Sequence, residues 1–380
     1  MGARSLATRT IAVTAALAAL TALATACSST GSSGSAVKCA QEAGPWGWCG
    51  SSKVGYVATG EPDVNRDGKV VLGILSPGDT HDHGYYESFV DEADAYAKQR
   101  NWKVDTVDQV PVADAAEDAR NLCRQHVDMV AIAASTLKDA IPVAAEAVCK
   151  NTVWYVAGGQ GVVQTKYFAQ TNDIESQSGY ASGVAAGLLM KAKGITKAGF
   201  LSGISAPFTT NFAKAWTVGI KTQVPAAKVV STYTGDFDKS DLAVEAYTAM
   251  KTNGVGLVYP YLGGATFAVA AQAAKDGIPV LTPGTDNCAS TNPPFAISVI
   301  FSPGDYFAGA LKAFAKGTLA VGTSLTFHMG VDAAPTVKIC KPTGDQAAVL
   351  AQTIRDIGTG KIDTGAVTGL DDYNGYVPKA

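Results

Sequence analysis

From residue 70 the chain alternates short apolar runs with stretches of helical period, and it does so twice. Apolar runs at 70–75, 104–107, 129–133 and 153–157 read as strands covered on both faces, as in a parallel sheet. Helical patterns at 85–100, 113–125 and 137–150 separate them. A fifth strand is expected at 167–170, then a long Ala/Gly-rich helix at 175–193. The rhythm restarts with strands at 198–201, 229–233, 256–259 and 279–281 and helices at 208–223, 240–253 and 266–276. The chain returns through a strand at 296–301, a helix at 306–316, a strand at 325–328 and a last helix at 345–357. Alternation of this kind predicts parallel sheets with right-handed crossovers. Two successive runs predict an α/β protein of two doubly wound lobes joined by a hinge. Lobe 1 is expected at 70–172, lobe 2 at 173–295, and 296–380 returns to complete both, its tail from 360 lying on the surface. A length of 380 residues with 47% hydrophobic content is ample for two cores.

In an open α/β sheet, ligands sit outside the carboxyl ends of the strands. The segments after those ends carry most of the polar and aromatic groups suited to a small solute. Ser76, Asp79, Tyr85 and Tyr86 follow the first strand, within the stretch SPGDTHDHGYY. Asn172 and Asp173 follow the fifth. Phe208 lies beyond the strand at 198–201, Tyr261 and Gly263 beyond that at 256–259, and Asp286 beyond that at 279–281. If both lobes aim their strand ends at one cleft, these groups converge there. Carboxylates suit hydroxyl groups, and aromatic rings suit a planar base or the face of a sugar.

Other chemistries find little support. The chain has no G-x-S-x-G elbow, Walker A loop, H-E-x-x-H or C-x-x-C pair, so no enzyme and no cofactor is expected. A net charge of −3 without a basic patch speaks against nucleic acid. His81-Asp82-His83 has metal-ligand chemistry, but only His126 and His328 remain to complete a site, and no metal is expected. Asp63 to Gly68 resembles the start of a calcium loop. Its twelfth position is Ile74 where a bidentate Glu is required, which favours a turn closed by Asx side chains.

The N-terminus reads as a targeting segment over 1–26: Arg4 and Arg9, an uncharged Ala-rich stretch, then small residues before Cys27 and a Ser/Gly-rich tether. This resembles a bacterial lipoprotein signal, with Ala24 where Leu is usual and Leu23 one place earlier. It implies lipidation at Cys27, the membrane anchored through that lipid and the tether, and a place on the extracytoplasmic face of the cell membrane. Residues 27–69 then form the tether and a small Cys-stapled segment. Of seven cysteines, six remain, an even number that in an exported chain suggests disulfides. Pairing neighbours in sequence gives Cys39–Cys49, Cys123–Cys149 and Cys288–Cys340.

Several segments, in this order, resemble the basic membrane protein family: GILSPGDTHDHGYYESF, YFAQTNDIESQSGYASGVAAGLL, GFLSGISAPFTTNFAKAWTVGIK, YTGDFDKSDLAVEAYTAM, and PVLTPGTDNC followed by FAISVIFS. These are lipoprotein substrate-binding proteins of ABC transporters, similar in fold to type I periplasmic receptors. The resemblance implies a small-molecule ligand, a partner ABC permease, and closure of two lobes around the ligand. Because the family's best-understood members capture purine nucleosides, it implies a base between aromatic rings. It assigns Asp79 with Tyr85 or Tyr86 to the first loop, Asp173 to the crossing segment, and Phe208 to the second lobe's aromatic. Gly263 becomes the glycine approach and Asp286 the partner of ribose hydroxyls. Two positions depart from the pattern. The first loop has Tyr-Tyr-Glu where Phe-Asn is usual, and Ser298-Val299 is followed by Ile300 and Phe301 where a Lys is common. A sugar receptor, or a sensing ectodomain with a signalling partner, is the alternative.

Overall fold

The structure is a computed structural model that describes residues 62–159 and 161–370. Lobe 1 is built on β1 (Val71–Leu75), β2 (Lys103–Val107), β3 (Met129–Ile132), β4 (Val153–Ala157) and β5 (Ala169–Asp173), joined late in the chain by β11 (Ser324–Phe327). They form one sheet in the order β11-β5-β4-β3-β1-β2, and every pair is parallel. Helix α1 (Tyr85–Arg100) and α7 (Pro303–Ala315) cover one face, where Phe89 stacks on Phe307 with ring centres 4.2 Å apart. Helix α2 (Ala115–Arg124) covers the other. The centre of this sheet is apolar on both sides, as a parallel sheet between helices demands.

Lobe 2 repeats the plan. Strands β6 (Lys197–Ser202), β7 (Lys228–Tyr233) and β8 (Leu257–Tyr261) pair in parallel. Strand β9 (Leu281–Gly284) runs parallel to β10 (Ile297–Ile300), and β12 (Thr336–Ile339) closes the edge antiparallel to β10. A bridge from Val258 to Val280 connects the two groups. Helices α3 (Glu175–Lys193), α4 (Pro207–Gln223), α5 (Ser240–Thr252), α6 (Ala265–Lys275) and α8 (Gln346–Gly358) flank these strands, with a short α9 (Thr364–Thr368). Helix α3 is buried without interruption from Ser176 to Met190, the pattern of a helix enclosed on all sides. It touches α4 through glycine. A Cβ on Gly183 would lie 2.2 Å from the Trp216 carbonyl oxygen, and one on Gly219 the same distance from that of Tyr180.

The chain crosses between lobes after β5, after β10 and after β11. The return segment therefore serves both lobes: α7 and β11 finish the first, while β12 and α8 finish the second.

Local departures from the sequence expectations have physical causes. The stretch 137–150 is not an α-helix but 3-10 turns at Ser135–Ala145 and Ala147–Cys149. Pro142 removes a donor there. The fifth strand starts two residues later than expected and runs through Asp173, because Gln170 to Asp173 pair with β11. The ninth shifts from 279–281 to Leu281–Gly284, and Pro279 uses its carbonyl to accept from Val258 N. Strand β12 and helix α9 were not anticipated. Thr364 of α9 is buried and hydrogen-bonds Ser176 at 2.8 Å, so the segment after 360 is docked onto α3 rather than lying wholly on the surface. Disulfides join Cys123 to Cys149 and Cys288 to Cys340. Cys27, Cys39 and Cys49 lie outside the described residues.

Candidate functional site

The carboxyl ends of both sheets face a shared cleft. Its empty space, counting the open mouth, is about 830 Å³. Lobe 1 contributes Tyr85 and Tyr86 from the start of α1, Ser135 and Thr136 after β3, and Gly158 and Gly159 after β4. Lobe 2 contributes Phe208 and Phe212 from α4, Phe237 after β7, Tyr261 at the end of β8, and Leu262 and Gly263 just after it. Asp173, Glu175 and Phe301 come from the segments that cross between lobes.

Helix α1 begins where it does because of Asp82. Its buried carboxylate accepts from the backbone amides of Gly84 at 2.9 Å, Tyr86 at 3.2 Å and Glu87 at 3.0 Å. It thereby satisfies amides that a helix start leaves unpaired. That anchor fixes Tyr85 and Tyr86 at the cleft wall, their rings edge to face at 5.4 Å. Burial pushes the Asp82 carboxyl above its ordinary range despite these bonds. Asp82→Ala is expected to lose about 1–2 kcal/mol in urea unfolding and to weaken ligand binding as the first turn frays. Asp82→Asn, which keeps an acceptor, should recover part of both. Unchanged affinity in Asp82→Ala would show that the turn does not position the tyrosines.

The aromatic wall is continuous across the crossing strand. Tyr85 lies 6.2 Å from Phe301, Phe301 6.0 Å from Tyr261, and Tyr261 4.7 Å from Phe212. Phe208 stacks with Phe237 at 6.2 Å, and Gly203 makes room for Phe237, since a Cβ there would meet the ring at 2.6 Å. Asp173 and Glu175 keep part of their surface, and both line the cavity. Burial pushes the Asp173 carboxyl up to about 7. Burial and the neighbouring carboxylates hold the Tyr85 and Tyr261 phenols well above their usual range.

Of the ten candidate residues, the structure brings Tyr85, Tyr86, Asp173, Phe208, Tyr261 and Gly263 into the cleft. Ser76, Asp79, Asn172 and Asp286 are not among its lining residues, and each has a local partner. Ser76 Oγ donates to the Gly78 carbonyl at 2.8 Å. Asp79 accepts from His81 N at 2.9 Å. Asn172 accepts from Thr326 Oγ1 at 2.6 Å, joining β5 to β11. Asp286 pairs with Lys338 Nζ at 2.6 Å. The ring of Tyr86 and a carboxylate, Asp238, crowd Gly263: a Cβ there would lie 2.4 Å from Asp238 Oδ1.

Sequence reasoning missed Ser135, Thr136, Glu175, Phe212, Phe237 and Phe301. Most lie just past strand ends, so the rule applied to five strands would have found them on the others. Phe212 is one helical turn beyond Phe208.

The histidine loop does not gather a metal site around Asp82, which turns inward while His81 and His83 are exposed. His83 Nδ1 stands 3.1 Å from Glu87 Oε2. Asp79, His81 and Asp108 present ligand-type atoms within 4.8 Å of one another, and one oxygen of each carboxylate also accepts a backbone amide, His81 N on Asp79 and Thr80 N on Asp108. The Asp63 turn is likewise closed on itself, its carboxylate accepting from Asp67 N and Gly68 N.

The sequence matches, over residues 69–335, the family described as ABC transporter substrate-binding protein PnrA-like. The chain belongs to this family. It is a receptor that binds a small solute and delivers it to an ABC permease, not an enzyme. No curated protein matches it. Solved structures similar to this PnrA-like receptor include an ABC transporter solute-binding protein from Conexibacter woesei, at 19% identity with a TM-score of 0.59, covering 77% of this chain and 97% of that one. A solute-binding protein from Aeropyrum pernix shares 18% identity with a TM-score of 0.61 over 81% and 83%. The arabinose-binding component from Shewanella, bound to arabinofuranose, shares 20% with a TM-score of 0.52 over 75% and 95%. At these identities the likeness establishes the two-lobed type I fold.

Proposed function

We propose that this receptor captures a small solute with a flat ring, a nucleoside being the reading the site favours, and that it works tethered to the outer face of the cell membrane through lipid on Cys27. One observation carries the ligand reading. Aromatic side chains from both lobes face one cleft, with Asp173 and Glu175 between them. A ring that stacks against Tyr85 or Tyr86 on one side and Phe208 or Phe237 on the other contacts both lobes at once. Such contacts favour the closed arrangement over the open one, because a ligand shifts an equilibrium only by its differential affinity for the two states.

A sugar is the second reading, supported by the two carboxylates. Melting temperatures in the presence of adenosine, inosine, uridine, arabinose and glucose separate the readings. Selective stabilisation by nucleosides, following RT ln(1 + [L]/Kd), is the expected result. Stabilisation by sugars alone would replace the first reading with the second, and a flat response to every solute would sink both. For the anchor, mass spectrometry of the membrane fraction should find diacylglycerol on Cys27. A mature chain released without lipid would refute it.

A further inference from the structure

We propose that Asp238 is a clasp between the lobes: its carboxylate holds the loop after β1 of lobe 1 against the start of α6 of lobe 2, and so sets how firmly the cleft shuts. It is a positioning residue, outside the lining of the cleft. The inference rests on the two-lobed fold and on no particular solute.

Asp238 lies in the loop between β7 and α5. Its place there is fixed by Asp236, whose carboxylate accepts from Asp238 N at 2.8 Å and from Lys239 N at 3.0 Å. One oxygen of Asp238 is committed to its own lobe. Oδ1 accepts from Gly264 N at 2.7 Å, and a Cβ on Gly263 would come within 2.4 Å of it. The other oxygen faces lobe 1, where a Cβ on Gly78 would lie 3.0 Å from Oδ2. The next amide of that loop, Asp79 N–H, stabilises the charged carboxylate by hydrogen bonding. The ring of Tyr86 flanks the same place, 2.4 Å from a Cβ on Gly78 and 3.6 Å from one on Gly263. Glycine on both sides is what lets two loops and a carboxylate come this close.

Elsewhere along the mouth the lobes meet through contacts without direction. His83 meets Phe267 edge to face at 5.6 Å, and a Cβ on Gly284 would lie 3.5 Å from Tyr85 N. A carboxylate bonded to backbone amides is different in kind, because a bond to an ionised acceptor is roughly twice as strong as a neutral one. The charges nearby do not supply another partner. Lys239 Nζ is on Asp236 at 3.2 Å, and His83 is engaged by Glu87. Burial, Asp82 and Asp236 push the Asp238 carboxyl up, while the Gly264 and Asp79 amides pull it down. Asp82 opposes closure least where its own charge is spread into the three amides of α1 that it accepts from.

Hydrogen exchange and small-angle X-ray scattering of the empty receptor test this without any solute. Asp238→Asn keeps the shape but has one acceptor oxygen, so it can serve Gly264 N or lobe 1 and not both. Asp238→Ala serves neither. In both variants the amides of 76–80 are expected to exchange about tenfold faster or more, as a charge-assisted bond is lost from the opening equilibrium. The radius of gyration should grow, while strands β6 to β8 exchange as in the parent and Asp238→Asn melts within a few degrees of it. An Asp238→Asn chain with the parent's radius and the parent's exchange at 76–80 overturns the clasp. So does an Asp79 amide that is unprotected in the parent itself. Faster exchange spread through β6 to β8 would show instead that Asp238 only holds lobe 2 together, and overturns it as well.

Discussion

Gly183→Val is expected to leave no folded receptor at ordinary temperatures. Gly183 sits on the inner face of α3, where a Cβ would approach the Trp216 carbonyl oxygen to 2.2 Å and the Gly219 Cα to 2.9 Å. Those atoms are backbone, so no side chain can rotate away. The helices must part instead, and the core beside them opens: Val184, Ala185 and Trp216 are all essentially inaccessible. Overpacking of this kind costs about 1–3 kcal/mol where side chains can adjust and more where backbone must move. Separation of two buried helices therefore places the loss at roughly 5 kcal/mol or above, in the range that unfolds a marginally stable lobe. Gly194→Ala is the control. Gly194 has a φ of +68° and nothing within 4 Å of a Cβ, so only backbone strain of about 1 kcal/mol is expected. Circular dichroism and melting temperatures of both variants decide it. A Gly183→Val chain that melts within a few degrees of the parent would show that the α3–α4 contact is looser than this geometry.

The α3–α4 contact also shows what the sequence could and could not convey. The helix at 175–193 was legible to the residue, because an Ala/Gly-rich stretch without proline runs as far as Gly194, which ends it. Its burial on all faces was not, since a small-residue helix gives no amphipathic stripe to count. The strand rhythm placed both lobes because apolar runs in a parallel sheet need no partner-specific signal. Strand β12 was invisible because Thr336 to Ile339 is a short edge strand, placed by β10 rather than by its own pattern. In the site, Tyr85, Tyr86, Phe208 and Tyr261 were legible as rings at or past strand ends, while Phe212, Phe237 and Phe301 were not. Polar ones were less so. Asp79, Asp286 and Asp82 look alike in sequence, yet one closes a turn, one pairs with Lys338, and one caps α1. Only the fold decides which carboxylate faces the ligand, and the one it brings inward beside Asp173 is Glu175.

Asp173→Asn is expected to raise the melting temperature of the empty receptor at pH 8. Burial raises the folded-state pKa of Asp173 from 3.8 to about 7. The unfolded chain therefore releases this proton near pH 4 and the folded one near pH 7. Between these values the folded state binds more protons, so stability falls as pH rises through the window and stays low above it. At about 1.4 kcal/mol per pH unit, the window amounts to roughly 4 kcal/mol as an upper bound, reduced to the extent that Asp173 sees water in the open cleft. An asparagine has the same shape and no proton to lose. Parent and variant should thus melt together near pH 4, and the gap should open steadily toward pH 8. A gap that does not change with pH would mean that Asp173 is solvated and its charge carries no cost. Because Asp173 lines the cleft, stabilisation gained at this position should come at a cost in ligand affinity.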